Sequence, residues 1–101
     1  MDKTAELNFY LACTYFDQQD YAKAARHFQE AAEFFHPRAQ FNLGHCYEWG
    51  LGVEADTDKA VGWYTKAAEL DEPDAQFHLG NLFREGTLVP QSFEQAAYWF
   101  E

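Results

Sequence analysis

One stretch of this chain occurs twice. Residues 37–44 read PRAQFNLG and residues 73–80 read PDAQFHLG, so the second copy begins 36 positions after the first (73 minus 37). Further identical pairs follow at the same spacing: Gly50 and Gly86, Val53 and Val89, Ala60 and Ala96, Trp63 and Trp99. A fixed period of this length in a short chain indicates a repeat architecture, in which each unit packs against the next. The repeated positions carry no residue type that is typical of catalysis.

Local signals divide each unit into two helices, here called A and B. Asp20, Asp56 and Ser92 precede the B helices, where a side-chain oxygen can accept a hydrogen bond from an amide of the first turn. Gly50 and Gly86 follow the second and third A helices, where a left-handed residue ends a helix. We therefore predict three helical hairpins, with helices at residues 4–16, 21–35, 38–49, 57–70, 74–85 and 93–101.

Glycine recurs in the middle of the A helices. Gly44 and Gly80 hold this place in the second and third units, and Ala12 holds it in the first. A glycine in a helix interior costs ~1 kcal/mol relative to alanine. Its return at the same place predicts that helix B approaches the backbone of helix A closely there. We expect a large side chain at either glycine to disrupt the hairpin.

The chain is strongly acidic. It has 7 Lys plus Arg against 17 Asp plus Glu, which gives a formal net charge of -10 at pH 7. Nucleic acids and anionic membranes are bound through cationic surfaces, so this charge argues against both as partners. It favours a basic protein or peptide partner. The other explanation is that an acidic surface keeps a small protein soluble.

The sequence shows no sign of secretion or of membrane insertion. It has no apolar run close to the ~20 residues of a membrane span. The residues after Met1 lack the basic start and apolar run of a secretory signal. Cys13 and Cys46 fall in predicted helices rather than at loop staples. We therefore expect the protein to be cytoplasmic.

The second unit carries a recognisable motif. From position 39 to position 69 it reads AQFNLGHCYEWGLGVEADTDKAVGWYTKAAE. This resembles one complete Sel-one-like repeat, a relative of the tetratricopeptide repeat with a longer loop inside the hairpin. Residues 74–101 resemble a second copy whose loop departs from the pattern, because Leu88 and Pro90 stand where Gly52 and Glu54 stand in the first.

The first unit resembles an ordinary tetratricopeptide hairpin. Its small residues Ala12 and Ala24 are four positions closer than Gly44 and Ala60 (24 minus 12, against 60 minus 44). We therefore divide the single repeat domain, residues 1–101, into a tetratricopeptide-like hairpin at 4–36, a complete Sel-one-like repeat at 37–72 and a partial one at 73–101. The resemblance implies an all-α fold, a right-handed α-solenoid of three helix-turn-helix hairpins. It also implies a scaffold or adaptor for other proteins, without catalysis of its own.

One face of the A helices lines the concave groove in the resembled family. Residues four apart share this face, and they are the predicted partner-binding residues: Phe9, Cys13, Phe41, His45, Trp49, Phe77, Asn81 and Glu85. The three phenylalanines would form a floor for an apolar or aromatic segment of a partner, and Trp49 would be its anchor. The alternative is that the phenylalanines pack between neighbouring A helices.

The cysteines and histidines of the A helices are candidates for metal binding or catalysis. The candidate ligands are Cys13, His45, Cys46 and His78. They lie on successive A helices, whose axes we expect to be ~8–10 Å apart, too far for one tetrahedral ion unless the side chains converge. We predict no metal site, no other cofactor and, by the same spacing, no disulfide. His45 and Cys46 point ~100° apart on one helix, which argues against a Cys–His catalytic pair, and we predict no enzymatic activity.

Two functions are compatible with these features. The first is a non-catalytic protein–protein interaction scaffold that uses the groove. The second is an acidic inhibitor, such as an immunity protein that neutralises a basic toxin or enzyme. An inhibitor of that kind would gather its acids in one patch and would lose affinity steeply with salt, whereas binding in an aromatic groove would respond weakly.

The last helix poses a separate question. Tyr98, Trp99 and Phe100 make it apolar up to Glu101. A solenoid needs a polar terminal face to stay soluble, and a large apolar patch is unusual on a monomer. We therefore expect this edge to be covered by a continuation of the chain, by a second copy of the chain or by a partner, and we favour the first two.

Overall fold

The protein is an array of helices in which each helix packs against the next. The computed structural model describes residues 3–100, and the helices within them are α1 (Thr4–Asp17), α2 (Tyr21–Glu33), α3 (Pro37–Trp49), α4 (Thr57–Glu69), α5 (Pro73–Glu85) and α6 (Phe93–Phe100). The hairpins are α1 with α2, α3 with α4 and α5 with α6, and they are joined by contacts of α2 with α3 and of α4 with α5. The predicted all-α solenoid of three hairpins is confirmed, although Glu101, the end of the last predicted helix, lies outside the described residues. None of the helices in residues 3–100 is long and apolar enough to cross a lipid bilayer.

The helix boundaries follow the predicted signals. Each B helix begins at a side chain that accepts a hydrogen bond from an amide three residues on: Asp20 from Lys23 (3.3 Å), Asp56 from Lys59 (3.1 Å) and Ser92 from Gln95 (3.2 Å). Helices α3 and α5 end at Gly50 and Gly86, whose φ angles of 67° and 71° lie in the left-handed region. The turns of the hairpins are therefore set by local chemistry.

Small residues let the two helices of a hairpin approach closely. Both core clusters of the described residues are rich in alanine. Gly44 faces the ring of Tyr64, and a β-carbon added at Gly44 would lie 2.6 Å from a ring carbon. Gly80 faces the ring of Phe100 in the same way. The predicted close approach at both glycines is confirmed, and at Gly44 it brings Tyr64 against α3.

The longer loop of the second hairpin packs against the first hairpin. Gly52 in this loop has a φ of 78°, and a β-carbon added there would overlap the backbone carbonyl of Tyr21 at the start of α2. Leu88 occupies the corresponding place in the third hairpin, with a φ of 68°. The partly buried side chain of Leu88 packs against the core cluster that includes Tyr64 and Leu79. The departure from the repeat pattern at Leu88 is therefore accommodated with backbone strain, which costs about 1–2 kcal/mol.

Candidate partner-binding groove

A pocket lies between the first two A helices, α1 and α3. Its volume is about 340 Å³, and we call it the groove pocket. Its lining residues are Cys13, Phe16, Asp17, Phe28, Asn42, His45, Trp49 and Leu51. Three of the predicted partner-binding residues are among them: Cys13, His45 and Trp49. The structure therefore brings these three together at one site.

The groove pocket is mostly apolar and carries one carboxylate. Trp49 is 67% exposed, while Phe16 and Leu51 are half-buried and Phe28 is buried. Asp17 is exposed at the end of α1. Apolar linings with a few placed polar groups are typical of binding sites. This lining suits an apolar side chain that has a cationic neighbour.

The predicted partner-binding residues miss five of these eight lining residues. Phe16 lies in the last turn of α1, Leu51 lies in the loop after α3, and Phe28 belongs to a B helix. A face drawn along the A helices includes none of them. One signal was available in the sequence, the longer loop of the second unit. This loop packs Leu51 against the core cluster that includes Phe28 and Leu43. Nothing in the sequence indicated that Phe28 of α2 would line the groove pocket.

Three of the predicted site residues lie on α5, away from the groove pocket. Phe77 is 63% exposed, and its ring centroid is 5.8 Å from that of Phe100 in α6. Asn81 is half-buried and Glu85 is exposed on the same helix. Their role as partner contacts stays a prediction.

All three phenylalanines of the predicted floor make ring contacts within the array, Phe77 with Phe100 as described above. Phe41 is only 9% exposed, and its ring centroid lies 4.5 Å from that of His45 and 5.7 Å from that of Tyr64. The half-buried Phe9 stacks on His36 at 4.5 Å. The Phe41 ring also contacts that of His78 on the next A helix, α5, at 6.2 Å, so the alternative raised above, packing between neighbouring A helices, describes Phe41. Because the Phe41 ring is covered in this way, little of its surface is available to a partner.

A part-buried cluster of polar side chains joins α3, α4 and α5. The Tyr64 hydroxyl donates to Glu48 Oε1 at 2.5 Å and lies 2.9 Å from His45 Nδ1. His78 Nε2 lies 3.3 Å from the same Glu48 oxygen. Since the single proton of the Tyr64 hydroxyl is donated to Glu48, His45 Nδ1 carries a proton and donates it to the Tyr64 oxygen. We call these four residues the histidine cluster.

The histidine cluster corrects one prediction. His45 and His78 lie on α3 and α5, yet their ring centroids are only 5.4 Å apart. Both rings pack against Tyr64, at 5.3 and 4.6 Å between centroids. The prediction that helix spacing keeps these two residues apart is wrong. The spacing of the helix axes sets the distance between the backbones, but long side chains can still meet at their ends. The spacing argument against a metal site therefore fails for this pair.

Burial determines the protonation of several groups near the groove. It lowers the pKa of His45, so this imidazole is neutral near pH 7. It raises the pKa of Tyr64, which keeps the phenol as a hydrogen-bond donor. Burial also raises the pKa of the Cys46 thiol to about 11 and shifts that of Cys13 in the same direction. Both cysteines are free thiols, and these shifts disfavour the thiolate that a nucleophile requires.

Family models and a curated protein match parts of this chain. The model of the Sel1 repeat, the Sel-one-like repeat named above, matches residues 37–72 and 73–101, and that of the tetratricopeptide repeat matches residues 5–35. The resemblance inferred from the sequence is therefore confirmed. A stretch of 42 residues is 48% identical to the ERAD-associated E3 ubiquitin-protein ligase component HRD3 of Candida glabrata. This match covers 42% of the present chain and 5% of that protein.

Two solved structures have the same fold. A Sel1 repeat protein from Oxalobacter formigenes matches with a TM-score of 0.90 and 33% sequence identity, over 95% of this chain and 41% of that one. The protein c5321, a protective antigen present in uropathogenic Escherichia coli strains that displays an SLR fold, matches with a TM-score of 0.86 and 35% identity, over 95% of this chain and 21% of that one. The chain thus spans less than half the length of each of these relatives.

Proposed function

We propose that this chain, which belongs to the Sel1 repeat family, is a non-catalytic scaffold that binds a protein partner in its concave groove. The observation that carries the proposal is the exposed Trp49 beside the apolar groove pocket. Large aromatic residues dominate the binding energy of many interfaces, especially beside a pocket that excludes water. The match to a component of an E3 ubiquitin-protein ligase supports a role in assembling other proteins.

The groove pocket favours one kind of occupant, an apolar side chain with a Lys or Arg beside it. The apolar side chain would pack on Phe16 and Leu51 and against the ring of Trp49. The cation would lie near the exposed carboxylate of Asp17, in keeping with the net charge of -10. A partner that continues along the A helices would then contact Phe77 on α5.

Trp49→Ala is expected to weaken partner binding by about 30-fold, equivalent to ~2 kcal/mol, because it removes the aromatic anchor. The partner would first be isolated with the wild-type chain as bait and identified by mass spectrometry. Its affinity would then be measured with purified components by calorimetry, for wild type and for each variant.

Phe34→Ala is the matched control. Phe34 is also a well-exposed aromatic residue, 59% exposed, but it lies at the end of α2 and is not part of the groove pocket. We expect this variant to bind with wild-type affinity. A partner that binds Trp49→Ala as tightly as wild type, and Phe34→Ala more weakly, would place the interface at the end of α2 and not at the groove pocket.

The second candidate function is an acidic inhibitor of a basic enzyme, which the net charge of -10 favours. The two candidates differ in how affinity depends on salt. Binding through a field of exposed carboxylates weakens steeply as ionic strength rises, whereas burial of an apolar side chain in the groove pocket changes little. The same calorimetric titration, repeated at several salt concentrations, distinguishes them.

The last helix supports a second kind of contact, with another copy of the chain. Its aromatic residues Phe93 and Tyr98 are exposed, and Phe100 is partly so beside the exposed Phe77. These exposed aromatic residues all belong to the third hairpin, whose last helix is the edge in question. Self-association through this edge stays a prediction.

A further inference from the structure

Two imidazoles and a carboxylate converge where the second and third hairpins meet. His45 and Glu48 belong to α3, and His78 belongs to α5. One ligand atom from each of the three residues lies within 4.8 Å of the other two. The groups are partly shielded from solvent, since the side chains of Glu48 and His78 are 10% and 28% exposed.

The distances between these groups suit a small divalent ion. With Zn–N and Zn–O bonds of ~2.0–2.1 Å, the ligand atoms of a tetrahedral zinc lie about 3.3 Å apart. His78 Nε2 and Glu48 Oε1 are already separated by 3.3 Å. This is long for a direct N–H···O hydrogen bond. The ligand atom of His45 lies no more than 4.8 Å from the other two, so a side-chain movement of up to about 1.5 Å (4.8 minus 3.3) would complete the triangle.

The chemistry of the ligands also points to zinc. Two imidazoles and one carboxylate form a known zinc ligand set, which leaves the fourth position for water or another ligand. The carboxylate is held in place by a neighbour, because the Tyr64 hydroxyl donates to Glu48 Oε1. Such hydrogen bonds to a ligand orient it for a metal. The nearby cation Arg38 is paired with Glu72 and Asp74, which offsets its repulsion of an ion.

We propose that His45, Glu48 and His78 bind a zinc ion that links the second hairpin to the third. The spacing argument from the sequence excluded this site, but both imidazoles pack on Tyr64 and so lie close together. It does not depend on the proposed partner, since all three ligands belong to this chain. Bound zinc would connect α3 directly to α5, two helices of different hairpins.

Zinc binding is tested by calorimetric titration of ZnCl₂ into the full chain after treatment with a chelator. We expect one ion per chain and a loss of affinity of about 100-fold or more in His78→Ala and in Glu48→Gln, since even outer-shell substitutions cost 10–100-fold. X-ray absorption of the zinc-loaded protein should show nitrogen and oxygen ligands at ~2.0–2.1 Å. Circular dichroism would verify that each variant keeps the wild-type helix content.

His27→Gln is the matched control. His27 lies on α2, where its ring stacks on Tyr15 and its Nδ1 contacts Asn8. We expect this variant to bind zinc as tightly as wild type. The proposal is overturned if the wild-type chain binds no stoichiometric zinc, or if His27→Gln loses as much affinity as His78→Ala. It is equally overturned if folded His78→Ala binds as tightly as wild type.

Discussion

Gly44→Leu is expected to lower the free energy of unfolding by about 3 kcal/mol or more, the upper range for overpacking a core. A β-carbon at this position already lies 2.6 Å from ring carbons of Tyr64. Tyr64 is fully buried and its hydroxyl is held by Glu48 and by His45, so its ring cannot move aside without disturbing these contacts. Chemical denaturation followed by circular dichroism measures the change.

The same substitution at two other glycines separates packing from helix propensity. Gly62 also lies inside a helix, but a β-carbon there meets nothing within 4 Å, so Gly62→Leu should leave stability unchanged or raise it slightly. Gly80→Leu should fall between them, at ~1 kcal/mol, because Phe100 is partly exposed in the last helix and can move. Equal unfolding curves for Gly44→Leu and Gly62→Leu would contradict the close approach of α4 to α3.

Gly52→Ala is expected to destabilise the protein by about 3 kcal/mol, the sum of two effects. The left-handed backbone of Gly52, at φ 78°, costs a residue with a β-carbon ~1–2 kcal/mol. The added methyl group would also overlap the backbone carbonyl of Tyr21 in α2, and moving backbone apart costs ~1–3 kcal/mol. The measurement is again the free energy of unfolding.

Gly50→Ala isolates the first of these effects, the cost of the left-handed backbone. Gly50 has a similar φ of 67°, but a β-carbon there would lie 3.5 Å from the nearest atom, in ordinary contact with Ala55. We therefore expect only the conformational cost, ~1 kcal/mol. The difference between the two variants measures how tightly the loop of the second hairpin packs on the first. If both variants lose the same stability, that contact contributes nothing.

The helices and their ends could be predicted because their causes are local. A capping oxygen such as that of Asp56 acts on an amide three residues away. A glycine such as Gly50 ends a helix through its own φ angle. The repeat spacing then placed the hairpins side by side, since equivalent apolar faces of the two copies must be covered in the same way by a neighbouring hairpin. The fold class and the starts of the B helices therefore followed from the sequence.

The groove was only partly predictable. The position of a residue on a helical face gives the direction of its side chain, but it does not give the neighbours that cover that side chain. Phe41, His45 and Trp49 share one face of α3, yet Phe41 is 9% exposed and Trp49 is 67% exposed. The difference arises from neighbours in the fold, since Tyr64 and His78 cover Phe41. The convergence of the histidines has the same origin, since it depends on contacts between three helices.

Protection of Cys13 from alkylation tests the central claim, that a partner binds in the groove pocket, most directly. Cys13 lines the pocket and is partly exposed, whereas Cys46 is 1% exposed and provides an unreactive internal reference. Alkylation with iodoacetamide, followed by mass spectrometry, gives the rate at each thiol with and without saturating partner. The account predicts that the partner slows the modification of Cys13 several-fold and leaves Cys46 unmodified throughout. An unchanged rate at Cys13 in the saturated complex would contradict it.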